Sequence, residues 1–184
     1  MPQISISSLL GNQGPNYPEA IARPYREQLS GAGFEAMLTE SQVDQALDRQ
    51  DDQVVLVVVN SVCGCAARVA RPAAILSMAA AKVPDRRYSV FAGMEKEAVS
   101  RFREKYLPGI TPSSPNIALF RNGKLLHLIQ RHQIEGRTAG EIAAELVSEY
   151  IQRCRAVLPA EEREKIKNFF EESFEPDSRN LDNE

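Results

Sequence analysis

The 184-residue chain has no tryptophan, two histidines, three cysteines and no excess of basic charge. Each shortage excludes something. Twenty-two lysines and arginines against 25 aspartates and glutamates leave a net charge of −3, whereas a nucleic-acid-binding domain shows a basic excess or stripe. The longest clean apolar run, Val54–Val59, falls far short of the ~20 residues that cross a bilayer. No basic residue precedes Arg23, so the first residues do not read as a secretory signal. The expectation is a cytoplasmic protein with reduced cysteines, binding neither membrane nor nucleic acid. A chain this long buries roughly 70% of its unfolded surface and folds without a disulfide or metal.

What is present alternates between helix and strand. Residues 1–17 read as an irregular arm. Ile21, Tyr25 and Leu29 recur at spacing four between Pro18 and Ser30, a helix closed by Gly31 and Gly33. Phe34–Leu38 is a short strand, and a helix capped by Thr39 or Ser41 runs to about Arg49. After the Asp51-Asp52 turn, QVVLVVVN reads as a strand buried on both faces, as in a parallel sheet covered by helices. Strongly helical composition then runs from Ala66 to near Lys82, with Pro72 as a kink. A strand at Tyr88–Ala92, a helix at Glu95–Tyr106 and a proline-rich loop follow. Asn122-Gly123 between two apolar runs signals a hairpin, and Thr138–Cys154 is an amphipathic helix. This order predicts an α/β domain over residues 18–155. Residues 156–184 read as a charged amphipathic extension and acidic tail, whose Ile166, Phe169, Phe170 and Phe174 either fold back or meet a partner.

The sharpest chemical feature is strand, Cys63-Gly64-Cys65, then helix start. Free N–H groups and the positive dipole end at a helix start favour a thiolate, the nucleophilic form. Cys63 is expected to be the outer, attacking thiol and Cys65 the less exposed one. Gly64 permits the tight backbone that a bond between residues two apart requires; such a small ring is strained and labile. Arg68 and Arg71 either add positive charge or form a solvated helix face. Ser114-Pro115, immediately before a strand, is a candidate cis bond. Two other readings stay open for the cysteines: buried apolar residues, or a metal half-site completed by His132 or Cys154. His132 is a candidate substrate contact, Glu135 and Gly136 candidate groove residues, and His127 structural. Cys154 completes the apolar row of its helix and reads as a core residue; 16 steps of 1.5 Å carry it roughly 24 Å from the helix start at Thr138, too far to bridge Cys63.

The stretch VVVNSVCGCAARVARPAA, with TPSSPNIALF, RHQIEG and AGFEAML, resembles the bacilliredoxins, thioredoxin-like proteins with a Cys-Gly-Cys centre. The resemblance runs from about Pro18 to Cys154; the segment beyond departs from the shorter family pattern. It implies a thioredoxin-like three-layer fold with a mixed central sheet, helices on both faces and a helical C-terminal extension. It implies removal of bacillithiol, or a similar low-molecular-weight thiol, from S-thiolated client proteins. Cys63 would attack, with Cys65 beside it and Gly64, Ser114, Pro115 and His132 contacting substrate. No cofactor or resident metal is implied, and a disulfide reductase or small thiol serves as reductant. Members have also been described as disulfide isomerases.

Overall fold

The computed structural model describes residues 14–175. The first 13 residues of the expected arm and the acidic tail from residue 176 lie outside that range. A five-stranded sheet forms the middle layer: β1 (Glu35–Ala36), β2 (Val54–Asn60), β3 (Arg86–Phe91), β4 (Asn116–Arg121) and β5 (Lys124–Ile129), in the order β1-β3-β2-β4-β5. β3 runs parallel to both β1 and β2, while β4 is antiparallel to β2 and to β5.

The valine run of β2 is buried along its whole length and alternates between two cores. Val54, Leu56 and Val58 face one, with residues of helices α1 (Glu19–Gly31), α3 (Arg71–Ser77), α6 (Ala139–Arg153) and α7 (Ala160–Phe174). Val55, Val57 and Val59 face the other, with helices α2 (Glu40–Leu47) and α4 (Lys96–Arg101) and the π-helical turn Phe102–Tyr106 that continues α4. Period-two alternation with apolar residues on both sides is what a two-sided central strand requires.

Local signals account for the joints. Thr39 caps α2 and Thr138 caps α6, each in a reciprocal capping box. Asn122 (φ 52°) and Gly123 (φ 73°) make the β4–β5 turn in the left-handed backbone that a two-residue hairpin needs. The helix that follows β2 is shorter than expected. It ends at Ser77 rather than near Lys82, because Met78, Ala79 and Ala80 donate to carbonyls only three residues back and tighten the chain out of the α-helix. Pro72 is absorbed by a π-helical turn, Ala66–Ala70, just before α3: the Arg71 N–H reaches Ala66 O, five residues back. RHQIEG, given no element by the sequence, holds a short helix α5 (Arg131–Ile134), capped by Gln130 and Gln133. Of the two fates open to the extension, the structure shows fold-back: Ile166 is buried, and Phe169, Phe170 and Phe174 pack on the α1/α3/α6 core.

Candidate active site

The site forms where β2 ends and the chain turns into the helical run 64–77. The Cys63 carbonyl accepts the first helical bond, from Ala67 N–H at 3.1 Å, so Cys63 is the N-cap. Its side chain therefore sits at the helix start, where the N–H groups of Ala66 and Cys65 favour negative charge on the sulfur. The Ser61 hydroxyl donates to Cys63 Sγ at 3.0 Å and accepts from Cys63 N–H at 3.2 Å.

The two thiols are driven in opposite directions. Burial opposes ionisation of Cys63 and is the largest single influence, but the Ser61 hydroxyl, the two N–H groups and Arg131 together outweigh it, so its pKa falls below the ordinary thiol value. Burial pushes Cys65 up, and the neighbouring Cys63 and Glu135 add to that against Arg131. Cys65 Sγ lies 3.9 Å from Glu135 Oε1, the same oxygen that accepts from Arg131 Nε at 2.7 Å. The expected contrast in exposure is absent, for both cysteines are half-buried; the contrast lies in their hydrogen bonds. Gly64 is also not there for its backbone freedom. It is not among the glycines of positive φ, and an added Cβ would meet only the Arg68 guanidinium, Nη2 at 3.5 Å and Nε at 3.9 Å.

Two clefts open on Cys63. One, of about 340 Å³, is lined by Cys63, Gly64, Cys65, Arg68, Arg131 and Glu135, with Val69, Ile134 and Gly136. The other, of about 310 Å³, includes Ser61, Cys63, Arg103, Ser114 and Arg131. Asn16 and Tyr17 also line it. They are held over Gly93 (φ 86°), where a Cβ would meet Tyr17 at 3.0 Å, and Asn16 N–H donates to Gly93 O at 2.7 Å. The Ser114–Pro115 bond is cis, and Pro115 is buried. Buried Asn116 ties that loop to α5, accepting from Ser113 Oγ at 2.8 Å and from Arg131 N–H at 3.3 Å through one oxygen.

His132 is exposed and lines neither cleft. Successive helical residues differ by about 100° around the axis, so with Arg131 and Glu135 turned to the cysteines, His132 points elsewhere. Arg71 is not a solvated residue: α1 covers it and it is 1% exposed. Sequence reasoning missed Ser61, Arg131, Arg103, Asn16 and Tyr17. Only Arg131 left a usable signal, as the neighbour of the histidine singled out. His127 bonds Glu145 at 2.9 Å, as a structural residue. Cys154 is buried, with its thiol pushed up to about 12 by burial and then by Asp85. Asp85 lies at the opposite end of β2, donating to Val54 O, so the sheet's length separates Cys154 from Cys63. Among the described residues no group of three His, Cys, Asp or Glu side chains converges for a metal ion. Among them, too, no helix is long and apolar enough to cross a membrane.

The family model described as disulphide isomerase matches residues 17–154. A bacilliredoxin of Salinibacter ruber is 46% identical over 139 residues, covering 75% of this chain and 81% of its own. Bacilliredoxin BH1716 of Halalkalibacterium halodurans is 43% identical over 139 residues, covering 76% and 95%. The chain belongs to the bacilliredoxin family. A thioredoxin of Malassezia sympodialis, Mala s 13, is 16% identical with a TM-score of 0.44, over 66% of this chain and 90% of that one. The thioredoxin-like α/β fold is carried by the strand order and by family membership, and the chain is a thiol–disulfide oxidoreductase.

Proposed function

We propose that this oxidoreductase removes bacillithiol, or a small thiol like it, from mixed disulfides on client proteins. The observation that carries the reading is the contrast at the motif: Cys63 Sγ has a hydroxyl, two N–H groups and Arg131 favouring its thiolate and lines two clefts, while burial pushes the Cys65 thiol up. Cys63 thiolate attacks the small-thiol sulfur of the adduct. A Cys63–small-thiol disulfide forms as the client disulfide breaks, and the client sulfur leaves as a thiolate that takes up a proton. A second small thiol then attacks the carried sulfur, giving the symmetric small-thiol disulfide and restoring Cys63 thiolate. Alternatively, Cys65 attacks Cys63 Sγ and expels the small thiol, leaving a Cys63–Cys65 disulfide for a reductase. Gly64 and Ser114, which line the clefts, and Pro115, joined to Ser114 by the cis bond, are the proposed substrate contacts, and Arg131, not His132, is the α5 residue at both clefts.

One client protein carrying bacillithiol, glutathione, cysteine or coenzyme A in turn, with release followed by intact mass, tests this. Faster release of bacillithiol than of the other three is expected; release of none of them refutes the reading. The description of the matched family favours a second reading, isomerisation of protein disulfides. Recovery of activity by a scrambled disulfide-bonded enzyme, without release of small thiols in the first assay, supports that one instead.

A further inference from the structure

Arg71 carries a buried charge that the reaction just proposed does not use. It is 1% exposed, and no carboxylate bonds to it among the described residues. Its guanidinium lies 4.5 Å over the Tyr25 ring, and Nη2 has no hydrogen-bond partner. A cation out of water without a counter-ion is costly to the fold, so what its remaining bonds hold is informative.

They hold Ser61. Arg71 Nη1 donates to Ser61 O at 2.8 Å and to Asn60 Oδ1 at 2.9 Å, and that Asn60 oxygen also accepts from Ser61 N–H at 2.9 Å. Both backbone polar groups of Ser61 are thus fixed, one directly and one through Asn60. Arg71 Nε, bonded to Gln28 Oε1 at 2.7 Å, anchors the fork to α1. The remaining polar group of Ser61, its hydroxyl, bonds Cys63 alone, donating to Sγ and accepting from the backbone N–H.

We propose that Arg71 is a positioning residue for Cys63, clamping Ser61 so that its hydroxyl stays on the sulfur and contributing a buried positive charge that favours the thiolate. Burial pushes the pKa of Arg71 down to about 10, and the negative charge of the Cys63 sulfur acts against that, favouring the charged guanidinium. Other charged or titratable groups around Cys63 are Arg131 of α5, Cys65 with Glu135 behind it, Arg68 in one cleft, and Arg103 and Tyr17 in the other. All but Cys65, Glu135 and Tyr17 are cations, and Arg71 alone is buried against the backbone that aims the hydroxyl.

The inference rests on the redox reading of Cys63, but its test uses neither client nor small thiol. Arg71→Gln and Arg71→Lys are made in a Cys65→Ser background, and the pH dependence of thiolate absorbance and of iodoacetamide alkylation of Cys63 is recorded. The midpoint should rise in both variants, further in Arg71→Gln, which loses fork and charge, than in Arg71→Lys, which loses the fork. A rise of one pH unit is about a tenfold fall in thiolate fraction below the midpoint. Adding Ser61→Ala should lower the thiolate fraction about tenfold in the parent and less than about threefold in the Arg71→Gln protein, since the two act through one contact. A merely structural arginine would change stability and leave the midpoint alone. If Arg71→Gln fails to fold, Arg71→Lys decides. A folded variant of either kind with the parent midpoint, or fully additive effects with Ser61→Ala, overturns the proposal. Failure of de-thiolation with the midpoint shifted as expected would refute the functional reading and leave this one standing.

Discussion

Ser61→Ala removes one hydroxyl, 3.0 Å from Cys63 Sγ. A hydrogen bond to a charged group contributes about 1.5–3 kcal/mol. Cys63 is half-buried, so water replaces part of what is lost, and the lower end, about 1.5 kcal/mol, applies. At 1.36 kcal/mol per pH unit, the thiolate midpoint should rise by about one unit. Well below the midpoint the thiolate fraction then falls about tenfold. A more basic thiolate is also a better nucleophile, with a Brønsted slope of about 0.4–0.5, which recovers about threefold. Well below the midpoint the net alkylation rate should therefore fall only about threefold, while the midpoint itself moves by the full unit. Recording rate against pH in a Cys65→Ser background separates the two effects and keeps the second thiol out of the titration. Cys154, buried and with its pKa at about 12, does not contribute in the neutral range. An unmoved or lowered midpoint in a folded variant would refute the role given to Ser61.

Three further outcomes can be checked directly. Cys63→Ser should abolish transfer of the small thiol, while Cys65→Ser should still take it up and, without added thiol, accumulate a one-to-one adduct by intact mass; an adduct found on Cys65 reverses the roles. Cys154→Ser should leave single-turnover transfer unchanged at low protein concentration, and an intramolecular Cys63–Cys154 bridge in peptide maps of oxidised monomer would contradict its place at the other end of the sheet. Asp44 accepts from Arg101, Tyr106 and Lys105, and the bond from Arg101 does most to hold its carboxyl below the usual carboxylate range. Asp44→Asn should lower stability by about 1–2 kcal/mol at pH 7. A depressed acid stabilises above its unfolded pKa of about 3.9 and ceases to as pH falls through the folded value, so denaturant curves of variant and parent should converge in acid; a gap that widens there contradicts the assignment.

The architecture was legible because its strongest signals are one-dimensional. A run of valines with no polar position admits only a strand covered on both sides. Asn122-Gly123 specifies its own turn, and Thr39 and Thr138 carry their caps three residues ahead. The misses share a different cause. The alanine-rich stretch through Lys82 contains no stop signal, and its early end is set by three-residue-back bonds that propensity does not encode. α5 is four residues long, too short for a period to show. Arg71 looks like a surface residue until α1 is known to lie over it. The cysteine pair and the proline before β4 were legible as chemistry, since each stands at a junction between elements. Ser61, Arg103 and the adjacent pair Asn16 and Tyr17 reach one cleft from three separate segments of the chain, and no spacing announces a contact made that way. For His132 against Arg131 the segment was right and the helical phase undetermined.

The opposite shifts of the two thiols decide how the Cys63 adduct is resolved. When an external small thiol attacks the carried sulfur, Cys63 is the leaving group, and a thiol of lowered pKa leaves faster. When Cys65 resolves the adduct, Cys65 must first lose a proton, against burial and the Glu135 carboxylate. Cys63 is neutral in the adduct, so its own opposition disappears, but the other two remain. At neutral pH the external route should therefore dominate, and Cys65→Ser should retain most of its multiple-turnover rate when small thiol is in excess. Raising the pH ionises Cys65 and opens the internal route, so the rate lost in Cys65→Ser should grow as pH rises toward the Cys65 midpoint. The measurement is steady-state release of the small thiol by parent and Cys65→Ser across pH 6–9 at fixed small-thiolate concentration, which removes the external thiol's own titration. A deficit in Cys65→Ser that is large at pH 6 and constant with pH would show that Cys65 acts already ionised, and that Glu135 does not hold its proton in the adduct.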